Sequence, residues 1–199
     1  VQDFLEEADT EKYNQLTVDT KGKRLAFENA TVGWGEDSQE FKLRNLNIEF
    51  KTGKLNVVIG PTGSGKTSLL MGLLGEMHLS EGKIIVPSLD ARQDLVTDSE
   101  GLTNSIAYCS QSAWLLNDTV KNNILFNNAY NEARYLAVVE ACSLKRDFEI
   151  LKAGDKTEIG EKGITLSGGQ KQRISLARAL YSNARHILLD DCLSAVDSH

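Results

Sequence analysis

The octapeptide Gly60-Pro61-Thr62-Gly63-Ser64-Gly65-Lys66-Thr67 constrains this chain more than any other stretch. Its glycines accept backbone angles that other residues resist, so successive N–H groups can close around a phosphate. Lys66 offers a mobile charge to the β- and γ-phosphates of a nucleotide, and Thr67 can place a hydroxyl on Mg²⁺. A chance glycine turn is the alternative, and the neighbours argue against it. Leu55-Asn56-Val57-Val58-Ile59 reads as a buried strand running into the loop. Leu69, Leu70, Leu73 and Leu74 share the core face of a helix leaving it. Strand, glycine loop and helix in this order define an α/β chain built on a P-loop, with Gly60 through Ser68 as its candidate phosphate-binding segment.

Bulk properties narrow the class further. A chain of 199 residues is the size of one domain and can bury a core. No run of 18 apolar residues occurs, so no stretch reads as a bilayer span, and the polar, acidic start Val1-Gln2-Asp3-Phe4 does not read as a signal peptide. The net charge of −6 argues against a surface that coats nucleic acid. Cys109, Cys142 and Cys192 are widely spaced and form no CxxC, so they read as free thiols rather than zinc ligands.

Along the chain, residues 1–24 are acidic and weakly patterned, a connector from another domain or a frayed terminus. Leu25 to Val32, Asn45 to Phe50 and Lys83 to Val86 read as strands, and the polar, Gly/Asp/Ser-rich residues 88–104 as a surface loop. His78 reads as a surface-loop residue. Ser105 to Tyr108 reads as a strand leading to Gln111, and residues 118–150 as mostly helical. Gln170 to Tyr181 is expected as a helix with Ile174, Ala177 and Tyr181 inward. His186 to Leu189 is expected as a buried parallel strand that His186 enters.

A second motif follows. Leu166-Ser167-Gly168-Gly169-Gln170 starts that last helix, with Ser167 as a natural N-cap and two glycines that let amides approach an anion. Shortly after it, Leu188-Leu189-Asp190-Asp191 ends a hydrophobic strand in two carboxylates. Together with the P-loop, this ordering resembles the nucleotide-binding domain of ATP-binding cassette (ABC) proteins. The resemblance covers residues 25–199 and implies the ABC-type P-loop fold, with an antiparallel β subdomain and a helical subdomain.

Site roles follow from the resemblance. Asp190 matches the Walker B carboxylate of the Mg²⁺ shell, and Gln111 the Q-loop glutamine that senses Mg²⁺ and the attacking water. Trp34 matches the aromatic that stacks on adenine; a core or surface tryptophan is the alternative. Ser167, Gly168, Gly169 and Gln170 match the signature that serves ATP held by a partner domain's P-loop in a head-to-tail sandwich. Thr157 to Gly163 resembles the exporter loop that touches the transmembrane domains, and Ser194-Ala195-Val196-Asp197 the D-loop.

Two departures sharpen the expectation. Family members normally follow the Walker B aspartate with a catalytic glutamate, whereas this chain has Asp191, one methylene shorter. A catalytic group misplaced by about 1 Å can lose around 10²-fold in rate, so slow hydrolysis is expected at this P-loop. An intact signature beside Asp191 resembles the first cassette of ABCC (multidrug-resistance-associated) exporters, and the wording of Ser105 to Trp114 and of Asp190-Asp191-Cys192-Leu193 looks like the fungal, bile-acid-type members. The second departure is at the end: the switch-histidine strand expected of the family is not reached by His199, so the chain reads as C-terminally truncated.

The resemblance implies ATP and Mg²⁺ as ligands, a second nucleotide-binding domain and transmembrane domains as partners, and a place on the cytoplasmic face of a vacuolar or plasma membrane. A soluble ABC ATPase of repair or translation, and a regulatory nucleotide sensor, are the rival classes.

Overall fold

A computed structural model of the chain describes residues 14–35, 41–160 and 166–192. The chain divides after Val96 into two compact units.

The first unit is a four-stranded sheet with one helix. Strands β1 (Leu16–Val18), β2 (Ala26–Gly33), β3 (Lys42–Glu49) and β4 (His78–Val86) lie in the order β1-β4-β2-β3. β2 is antiparallel to both neighbours, and β1 runs parallel to β4. Leu16–Val18 thus joins the sheet inside the stretch read as a connector, and the Gln15 side chain fastens it by donating to Met77 O and accepting from Leu79 N. Helix α1 (Lys66–Leu73) turns Ser68, Leu69, Gly72 and Leu73 inward, while Leu70 and Leu74 are half-buried. Its apolar face belongs with the core of Leu25, Phe27, Ala30, Val32, Met77 and Ile84.

Two expectations fail here. Leu55–Ile59 is not a strand, and Leu55 and Ile59 are 87% and 88% exposed. A strand is completed by a neighbour that satisfies its N–H and C=O groups, and apolar content alone supplies none. No described strand pairs with this run; instead the Asn56 side chain closes the turn by bonding Lys51 N, Lys51 O and Lys54 O. His78 lies within β4 opposite Gly33, half-buried, because that strand starts earlier than its apolar end suggests.

The second unit pairs β5 (Thr103–Cys109) with β6 (Ala184–Leu189) in parallel. Between them lie α2 (Val120–Leu125), α3 (Glu132–Ala141), α4 (Lys145–Ile150) and α5 (Gly168–Tyr181). Side chains of Thr119 and Asn131 cap α2 and α3. One core gathers Val120, Ile124, Tyr135, Val138, Cys142, Leu144, Ile174, Ala177 and Tyr181, so the inward face expected of the last helix is as read. His186 sits mid-strand and is buried. Residues 88–104 are mostly loop with one 3₁₀ turn at Arg92–Asp94, and β5 already takes up Thr103. All three cysteines are buried and free.

Candidate functional site

In the first unit, Gly60–Thr67 leads into α1. Gly65 is required twice over: its φ is +92°, and a Cβ there would stand 2.8 Å from the Phe41 ring and 3.0 Å from Leu43. Gly65 also precedes α1 with no side-chain cap, which suits an anion at that helix start. Lys66 curls back over its own loop, its Nζ donating to Gly60 O at 2.9 Å and Pro61 O at 2.8 Å. A phosphate oxygen would compete with these two carbonyls for the ammonium. Thr67 is exposed and Ser68 buried. Trp34, just past β2, is 53% exposed.

In the second unit, the parallel ladder continues one residue beyond β6, where Asp190 N donates to Cys109 O at 3.0 Å. Asp190 is buried, and its Oδ2 accepts from the Tyr108 hydroxyl at 3.1 Å. Burial, and then the adjacent Asp190 carboxylate, push the Tyr108 phenol well above the usual tyrosine range, so it stays a neutral donor. Asp191 takes a left-handed backbone (φ +46°) and is exposed. Its Oδ2 accepts from Gln111 Nε2 at 3.3 Å. The two residues expected to handle water and metal are therefore in contact, across 80 residues of chain.

The start of α5 is a capping box. Ser167 Oγ accepts from Gln170 N at 3.2 Å, while Gln170 Oε1 accepts from Ser167 N at 2.9 Å. The other end of the Gln170 amide donates to Asp147 Oδ1 at 3.2 Å. Asp147, buried on α4, also takes a two-pronged bond from Arg173, 2.8 Å from Nε and 2.9 Å from Nη2. The Gln170 side chain thus fixes the helix start. Space remains open at Gly168, where a Cβ would meet nothing within 4 Å.

Farther along α5, Arg178 ties the segment after Gln111 in place. It donates to Asn123 O, Asn123 Oδ1 and Trp114 O, and its guanidinium lies 4.5 Å from the Trp114 ring centre. Asn123, fully buried, in turn bonds both backbone groups of Leu116.

The sequence reading gives Tyr108 no role beyond ending a strand, and Asp147 and Arg178 none at all. Tyr108 had a usable signal, since strand alternation puts it on the face of Asp190 once the register is known. Asp147 had none, because its partners lie 23 and 26 residues away. The end of the Thr157 to Gly163 loop, the D-loop Ser194 to Asp197, and His199 lie outside the described residues. Among the described residues no three His, Cys, Asp or Glu side chains gather as a metal cage. A Mg²⁺ held by one carboxylate, a hydroxyl and phosphates needs none.

A P-loop, a glycine-opened helix start and a strand-end carboxylate pair are the working parts of an ATPase cassette, and residues 43–194 match the family described as ABC transporter. The chain belongs to that family, as one of its nucleotide-binding ATPase domains. Over all 199 residues it is 79% identical to an ATP-dependent bile acid permease of Saccharomyces cerevisiae. It is 74% identical to a pleiotropic ABC efflux transporter of multiple drugs from Candida glabrata, and 68% to an ABC transporter ATP-binding protein/permease of Saccharomyces cerevisiae. The chain spans only 12–13% of the length of these relatives. No described helix is long and apolar enough to cross a membrane.

Proposed function

We propose that this chain holds MgATP on Gly60–Ser68 and uses it to drive an exporter of organic anions, glutathione conjugates or bile-acid-like molecules. Lys66 meets the β/γ-phosphates, Trp34 the adenine, and Thr67, Asp190 and Gln111 serve Mg²⁺. The ion neutralises charge on the phosphates when bound. Ser167, Gly168 and Gly169 complete the nucleotide site of a second cassette, while Gln170 fixes their helix. Transmembrane domains of the same protein, at a vacuolar or plasma membrane, receive the motion, with this domain on the cytoplasmic side.

The observation that carries the reading is the Gln111–Asp191 contact. It supports a shared catalytic role for two residues far apart in sequence, and a carboxylate already engaged by Gln111 orients water poorly. Hydrolysis at this P-loop is therefore slow, and the domain acts chiefly by binding ATP and activating its partner.

The test is ATP turnover of the full-length protein with Asp191→Glu and Ser167→Arg. Asp191→Glu is expected to raise hydrolysis at this site; Ser167→Arg is expected to suppress turnover at the partner site while this P-loop still binds ATP. Brisk hydrolysis mapped to this P-loop with Asp191 intact would sink the slow-site reading.

A further inference from the structure

We infer that Tyr108 is a positioning residue for the metal carboxylate: its hydroxyl holds Asp190 in the one orientation that serves Mg²⁺. The inference rests on the reading of Asp190 as the carboxylate that serves Mg²⁺.

The geometry builds from the ladder. Tyr108 pairs with Leu188 across the parallel strands, so Asp190, two residues on, stands on the same face as Tyr108. The bond from Asp190 N to Cys109 O fixes the backbone at that point. A short carboxylate on a fixed backbone keeps two rotations, about Cα–Cβ and about Cβ–Cγ. The bond from the Tyr108 hydroxyl to Oδ2 at 3.1 Å restrains both and so biases the direction in which Oδ1 points.

The choice of a phenol is chemically apt. It donates one hydrogen bond and carries no charge at neutral pH, so it orients Asp190 without neutralising the negative charge a cation needs. A lysine or arginine here would compete with Mg²⁺ for the same carboxylate. Outer partners of this kind set metal affinity by fixing the ligand rather than touching the ion.

The test titrates Mg²⁺ on the full-length protein and reads labelling of the peptide that carries Trp34, placed against the adenine, by 8-azido-ATP. Tyr108→Phe is expected to raise the Mg²⁺ concentration for half-maximal labelling about ten-fold, within the range seen when outer-shell partners are lost. Labelling at saturating Mg²⁺ stays at the parent level, which a damaged fold would not permit. If Tyr108→Phe does not accumulate as folded protein, Tyr108→Met replaces it, since that adaptable side chain also lacks the hydroxyl.

In an Asp190→Asn background, removing the hydroxyl is expected to add nothing further; an additive effect would overturn the inference. So would a midpoint unchanged in Tyr108→Phe but shifted in Asp190→Asn, which leaves the nucleotide-site reading standing. A midpoint indifferent to Asp190→Asn would overturn that reading and the role of Tyr108 together.

Discussion

The phosphate loop of the first unit and the carboxylate–signature region of the second are held by opposite means. Lys66 reaches back five and six residues to Pro61 and Gly60, and Gly65 supplies the turn locally. In the second unit, Gln111 finds Asp191 across 80 residues, Tyr108 finds Asp190 across 82, and Arg173 finds Asp147 across 26. A loop made from adjacent residues can lose a functional side chain and keep its shape. A site made from distant residues loses both together.

The contrast is broken or sharpened first at Asp147. Asp147→Ala removes the two-pronged bond from the poorly exposed Arg173 and the bond from the Gln170 side-chain amide. Removing one partner of a buried pair costs about 3–5 kcal/mol. Thermal unfolding of the full-length protein should fall accordingly; an unchanged midpoint would mean that α5 holds its start without α4.

Lys66→Ala is the counterpart in the first unit. Loss of a charged hydrogen bond removes about 1.5–3 kcal/mol of nucleotide binding, ten-fold or more in affinity. The unfolding midpoint should hardly move, since the Lys66 ammonium bonds Gly60 and Pro61 of its own exposed loop. A large stability loss would abolish the contrast.

Gly160→Ala comes next. Gly160 has φ +117°, and its Cβ would meet Asn117 Oδ1 at 2.2 Å and Asn117 Cβ at 3.0 Å. Backbone strain of this kind costs about 1–3 kcal/mol, again read by unfolding. Ser167→Ala removes the N-cap and is expected to cost about 1 kcal/mol.

The smallest effect at neutral pH concerns the thiols. Burial pushes Cys142 up to about 12 and Cys192 up to about 11. Unfolded thiols ionise near pH 9, so stability falls as pH rises from there through 11–12, where the folded thiols finally ionise. Alkylation at neutral pH should be slow in the folded protein and rapid once it is unfolded. Fast labelling of Cys142 in the folded state would contradict its burial.

The P-loop, the signature and the acidic strand end were legible because each is contiguous and its chemistry is local. The helix from Gly168 to Tyr181 was legible too, since Ile174, Ala177 and Tyr181 keep a 3.6-residue rhythm. The misreading of Leu55–Ile59 came from the same logic applied where it fails. An apolar run announces burial, but pairing depends on a neighbouring backbone that the run does not encode.

By itself, then, the sequence determined the α/β class and the motifs that mark the family, because backbone freedom at glycine, a lysine charge and helix periodicity are properties of neighbouring residues. Tertiary structure decided which side chains meet around the carboxylates and the helix start of the second unit. Tyr108 on Asp190, Gln111 on Asp191 and Asp147 beneath Gln170 depend on strand register and helix packing, and those bring together groups that no local spacing connects.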